Sequence, residues 1–166
     1  MADPSRVTDL YRMVVMQHET ICNLDCRYCY LPGRKTSRRM SVDVARTVAD
    51  DIAHQATLPG APPQVAVLWH CSEPLATSRD HFATLLEPFE QLRRDGLVQH
   101  ATQTNATLVD DRWCEFLTAY GFEVGVSLDG PADLTRHRVD WAGEPAYERI
   151  VRGLRRLQSA GLDPHV

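Results

Sequence analysis

Four short apolar runs, each followed by a segment with helical periodicity, constrain the fold of this chain more than any other feature. The runs are RMVVMQH (12–18), VAVLWH (65–70), LVQHATQTN (97–105) and FEVGVSLDG (122–130). Each is short, rich in β-branched residues and bounded by turn formers, as strands are. Between them lie helical stripes. Ala45, Val48, Ala49 and Ile52 share one face behind Ser41 as N-cap. Phe82, Leu85, Leu86 and Phe89 share another behind Ser78, with Pro88 as a kink and Gly96 as the stop. Trp113, Phe116, Leu117 and Tyr120 follow the cap Asp110 and end at Gly121. Tyr147, Ile150, Val151, Leu154 and Leu157 follow Pro145 and end at Gly161, and a fifth strand begins at Leu162. One helix between each pair of strands implies parallel neighbours, hence an α/β fold of about four βα units. The 166 residues suffice for one domain with a real core, and no linker or repeat divides them. A doubly wound sheet is the alternative, but neither G-x-G-x-x-G nor G-x4-G-K-[ST] occurs.

The loop after the first strand, CNLDCRYCY (22–30), sets Cys22, Cys26 and Cys29 in C-x3-C-x2-C spacing. Three thiolates so close together point to a soft metal or an iron–sulfur cluster, since a disulfide would leave one unpaired. Two readings stay open on spacing alone. His18 with the three cysteines makes a four-ligand zinc site. Alternatively, the cysteines hold a [4Fe–4S] cluster and leave one iron open to a small molecule.

At this point CNLDCRYCY resembles the cluster loop of the radical S-adenosylmethionine (SAM) enzymes, with Tyr28 in the aromatic place before the third cysteine. The resemblance implies a partial (β/α)6 barrel of TIM type, of which this chain carries the first four units and lacks the last strands. It also implies that Cys22, Cys26 and Cys29 bind three irons while the fourth chelates SAM. Further segments match at successive strand ends. WHCSEPL (69–75) resembles "GGEP", with Glu73 and Pro74 retained and Cys71 and Ser72 in place of glycines. QTNATL (103–108) resembles "QTNGTL", with Gln103 and Asn105 lining the SAM pocket and Ala106 for glycine. SLDGP (127–131) is similar to a segment of the peptide- and protein-modifying branch that includes anaerobic sulfatase-maturating enzymes, with their cysteine-rich SPASM-type C-terminal domains. There Ser127 and, in RHRVD, Arg138 would contact the SAM ribose or carboxylate. Glycine serves where backbone takes positive φ or approaches a ligand, so its replacement bears directly on SAM binding.

The resemblance spans residue 12 to the end, so residues 1–166 read as one radical SAM core domain. It implies oxidation or crosslinking of a peptide side chain, with flavodoxin or ferredoxin as reductant and a second chain as a candidate to complete the barrel. A truncated, non-catalytic iron–sulfur or peptide-binding remnant or partner subunit, and a zinc-stapled α/β module, are the other readings. Net charge of −4 argues against nucleic acid as partner, and RKTSRR (34–39) reads as a solvated loop. No leader pattern and no membrane-length apolar run occur, which with five cysteines that need not pair suggests a cytoplasmic setting. His70 and His100 read as buried histidines, Cys114 as core packing, and Asp129 as either a turn residue or a substrate contact.

Overall fold

The computed structural model describes residues 10–166. The stretch from which the lack of a leader was read lies mostly outside them. Four strands form one parallel sheet in sequential order: β1 (Met13–Met16), β2 (Val65–Trp69), β3 (Val98–Thr104) and β4 (Glu123–Val126). Register runs Val15↔Leu68, Leu68↔Ala101 and Gln103↔Gly125. His165 already pairs in parallel with Gly125, where the fifth strand was expected.

Helix α1 (Val42–Gln55) follows β1 after a long loop. Next come α2 (Arg79–Leu86) and α3 (Glu90–Arg94), then α4 (Asp111–Ala119) and α5 (Tyr147–Ser159). Ser78 and Asp110 cap α2 and α4 as expected, their side chains accepting from the N–H groups of His81 and Trp113. Ser41 caps α1 by position only, without a side-chain bond. Pro88 has no N–H to continue the helix, and a 3-10 turn at Glu87–Phe89 separates α2 from α3. The last helix starts later than Pro145, which instead pairs with Val139.

Burial alternates strictly along the strands. Val65, Val67 and Trp69 of β2 and Val98, His100, Thr102 and Thr104 of β3 are buried, while Ala66, Leu68, Ala101 and Gln103 between them are only half-buried. The helices therefore pack on one face of the sheet, whereas a doubly wound sheet covers both. The other face, which also carries the exposed Met13 and Val15, is the concave wall of a partial barrel. An aromatic core lies under the helices. Trp69 meets Phe82 edge-on at 5.1 Å, His18 stacks on Phe82 at 4.2 Å and His100 stacks on Phe122 at 5.3 Å. Among the described residues, no helix is long and apolar enough to cross a membrane.

Candidate functional site

The loops at the carboxyl ends of the four strands meet on one side of the sheet, where parallel barrels build their sites. The cysteine loop is held by backbone bonds. The Cys22 N–H donates to Arg34 O at 2.9 Å, Asp25 N–H to Val139 O at 2.7 Å and Arg27 N–H to His137 O at 3.0 Å. Arg34 was expected in solvent. It is instead the loop's internal brace, donating to Asp25 at 2.8 Å and to the carbonyls of Leu31 and Leu24. Arg39, from the same basic stretch, and Ser37 bond the buried Glu19. Burial opposes ionisation of Glu19, but the N–H groups of Thr20 and Ile21 and these side chains hold its carboxyl below the usual range.

Cys22, Cys26 and Cys29 are free thiols of intermediate exposure. Burial pushes the Cys22 thiol up to about 11 and raises Cys26 as well, against the pull of the Arg138 and Arg34 guanidiniums. Such thiols ionise when a metal takes them. One zinc ion needs its donors converged on a point, and among the described residues no three His, Cys, Asp or Glu side chains stand that way. His18 is no ligand here. It is 1% exposed, stacked on Phe82, with Nε2 donating to Pro74 O at 3.1 Å. A cluster binds each thiolate through a separate iron, so three cysteines on one loop are a donor set of the kind it uses, whereas a four-ligand zinc site would lack His18.

At the end of β2, Cys71 (φ 71°) and Ser72 (φ 55°) occupy the left-handed region, and after β3 Ala106 does so at φ 58°. These are the only non-glycine residues among those described to do so. Each costs roughly 1 kcal/mol or more relative to glycine. The three are the positions where "GGEP" and "QTNGTL" carry glycine, so the backbone shape is kept without the residue that makes it easy.

Glu73 is 1% exposed and accepts three hydrogen bonds, from Thr104 Oγ1 at 2.6 Å, Asn105 N at 2.8 Å and Leu75 N at 2.9 Å. Burial raises its pKa above the ordinary carboxylate value, against the pull of the three donors. The Thr104 hydroxyl itself accepts from Ala106 N, so every neighbour offers Glu73 a donor and the ionised form is the one accommodated. Glu73 thus clasps the β2 loop to the β3 loop, behind Pro74. Asn105 does similar work. Its Nδ2 donates to Asn23 Oδ1 at 2.9 Å, and its Oδ1 accepts from Thr107 N and Oγ1.

Gln103 lies on the open face, where its Nε2 donates to Ser127 Oγ at 2.9 Å. Gly125 makes room for it, since a Cβ there would stand 2.1 Å from Gln103 Oε1. Asp129, undecided from the sequence, receives Arg138 through Nε at 3.0 Å and Nη2 at 2.7 Å, and Tyr28 Oη at 2.8 Å. Burial works against ionisation of Asp129, and these two partners hold its carboxyl below the usual range. The guanidinium also lies 5.5 Å from the Tyr28 ring. Asp129 takes the Nε/Nη2 fork of Arg138, leaving the Nη1 end available to a second carboxylate.

The sequence pattern of the radical SAM superfamily matches residues 16–166. The chain belongs to that superfamily. It is similar to the serine-type anaerobic sulfatase-maturating enzyme of Bacteroides thetaiotaomicron, at 29% identity over 86% of this chain and 35% of the relative. Its fold is similar to native anSMEcpe with bound AdoMet and Cp18Cys peptide, with a TM-score of 0.73, 23% identity, and coverage of 92% of this chain and 41% of the other. It is also similar to Streptococcus suis SuiB bound to precursor peptide SuiA, with a TM-score of 0.65, 18% identity, and coverage of 93% and 32%. The chain thus spans well under half the length of each of these three proteins.

Sequence reasoning missed Asn23, Thr107, Arg34, Glu19 and Trp141, whose Nε1 donates to Cys22 O at 2.9 Å. Only Asn23 carried a signal, as a polar residue between two cysteines.

Proposed function

We propose that this chain is the cluster- and SAM-binding part of a radical SAM enzyme that modifies a peptide or protein side chain. The observation that carries the reading is the joint one at the strand ends. Three free, half-buried thiols share one braced loop, and the adjoining turns keep the glycine conformation at Cys71, Ser72 and Ala106. When bound, a [4Fe–4S] cluster and SAM together supply a 5′-deoxyadenosyl radical that abstracts hydrogen.

Cys22, Cys26 and Cys29 hold the cluster. The left-handed turn at Cys71 and Ser72 would offer its backbone groups to the SAM amino group, with Glu73 and Pro74 fixing the turn. Gln103 and Ser127 present an amide and a hydroxyl to the ribose from the open face, and Asn105 anchors the cluster loop through Asn23. Arg138, aimed by Asp129 and backed by Tyr28, offers its remaining fork to the SAM carboxylate. The concave face leaves room for a peptide, as the likeness to peptide-bound SuiB and anSMEcpe supports. The electron comes from a reductant such as flavodoxin or ferredoxin.

The test is anaerobic reconstitution with iron and sulfide, followed by dithionite and SAM. About four irons per chain with 5′-deoxyadenosine formed is the expected result. A cluster without SAM cleavage identifies a non-catalytic iron–sulfur subunit instead. Zinc without sulfide refutes both.

A further inference from the structure

A groove of about 660 Å³ lies beside the cysteine loop, with Cys22, Lys35, Leu75, Trp113 and Trp141 among the residues that line it. Lys35 is the only charged residue of that lining. Both indoles carry cations. Lys35 Nζ stands 4.3 Å and the Arg34 guanidinium 5.3 Å from the Trp141 ring, and the Arg79 guanidinium stands 5.4 Å from the Trp113 ring. Arg34 is neutralised by Asp25 at 2.8 Å and Arg79 more loosely by Asp110 at 3.7 Å. Lys35 has no ion pair among the described residues. Of the five Arg or Lys between Asp25 and Asp43, Arg34 and Arg39 are paired with Asp25 and Glu19, while Arg27, Lys35 and Arg38 have no ion pair among the described residues, in a chain whose net charge is −4.

Trp141 connects this surface to the site, because its Nε1–H bonds the carbonyl of Cys22, one of the three cluster cysteines. Resting on the radical SAM reading, we propose that this groove is the docking surface for a small acidic flavodoxin-type electron carrier. The acidic rim of the carrier meets Lys35, and the flat apolar edge of its flavin enters between the indoles, against Trp141. Opposite charge steers such encounters and sets their rate more than their final affinity. The carrier's reduced flavin would be oxidised by one electron, and the cluster that Cys22, Cys26 and Cys29 would hold would be its acceptor. No bond or proton is exchanged at the surface.

The experiment titrates a purified flavodoxin, labelled for NMR, with the reconstituted full chain at low and high salt. It compares the wild type with Lys35→Glu. The expected result is binding that weakens with salt, and a dissociation constant raised about five- to tenfold by Lys35→Glu, mostly through slower association. Reduction of the cluster by dithionite, followed at 420 nm, stays the same in both. A flavodoxin carrying an acidic-to-lysine change at its flavin rim regains affinity for Lys35→Glu. Equal affinity of wild type and variant overturns the proposal. So does failure of flavodoxin to bind, or occupation of the groove by an acidic peptide in its place. Failure of the radical SAM reading is visible separately, as protein without iron, sulfide or dithionite bleaching.

Discussion

Replacing Gly153 by alanine separates packing from helix propensity. Gly153 lies in the middle of α5 and is buried, where alanine alone would favour the helix by about 1 kcal/mol. Packing says the opposite. A Cβ there would stand 1.9 Å from the Ala106 carbonyl oxygen and 2.8 Å from its carbon. Carbon–oxygen contacts normally begin near 3.3 Å, so helix and turn must separate by about 1.4 Å. Both partners are backbone, so no side chain can swing away. The separation loosens Ile150 and Leu157, which are fully buried on the same helix. Overpacking of this kind costs roughly 1–3 kcal/mol, and opening two apolar contacts adds about 1 kcal/mol more. After the propensity gain, a net loss of about 2 kcal/mol is expected. For a chain of this size that lowers Tm by about 4–8 °C. Urea unfolding of Gly153→Ala beside an exposed control on the same helix, Arg155→Ala, measures it. Because the turn carries Asn105, the partner of Asn23, the variant should also retain less iron after reconstitution. A midpoint equal to or above wild type would refute the close approach of α5 to the Ala106 turn.

Glu73→Gln puts an amide donor against one of three donors, so unfolding in urea should show a loss of about 2–3 kcal/mol; a neutral result would mean that the carboxyl is protonated in the native state. Cys71→Gly removes the left-handed strain at the cost of a more flexible unfolded chain, for a net gain of about 0.5 kcal/mol in urea midpoint analysis; a destabilised variant would contradict that conformation. His18 and His100 are held down to about 4 by burial. An unfolded histidine titrates near 6.5, so between these values the unfolded chain binds more protons and stability rises with pH. Stability should be full above about pH 6.5 and fall towards pH 4, by roughly 3 kcal/mol per histidine, with His100→Gln flattening the decline. A urea midpoint that does not move from pH 7 to pH 5 would exclude burial of neutral imidazoles.

What the sequence disclosed and what it withheld divide by range. Strands, helix faces and the caps Ser78 and Asp110 depend on residues within a few positions of one another, so periodicity revealed them. Cys71, Ser72 and Ala106 were legible because family motifs record the backbone shape, and that shape persists at each position. The braces of the site were not legible. Asn105 meets Asn23 across 82 positions and Trp141 meets Cys22 across 119, pairings that exist only once the sheet has aligned its strand ends. Gly153 was hidden for another reason. In a helical stripe it reads as a gap, and only the approach of the Ala106 carbonyl gives the gap a purpose.

These long-range braces bear on what the cluster has to do for the protein. In small metal-dependent modules the ligand loop is unformed until metal arrives, and binding energy is spent on folding it. Here the loop is tied to Arg34, His137, Val139, Trp141 and Asn105 through groups other than the three thiols. Ordering costs about 1–2 kcal/mol per residue in backbone entropy, and these bonds offset part of it when the domain folds. Cluster affinity is then free to act on the thiols alone. It follows that apo-protein should keep a cooperative unfolding transition, and that loading the cluster should raise its midpoint through mass action without changing the denaturant slope. A slope that rises markedly on loading would mean that the cluster folds the loop, and that the bonds seen around it form only in its presence.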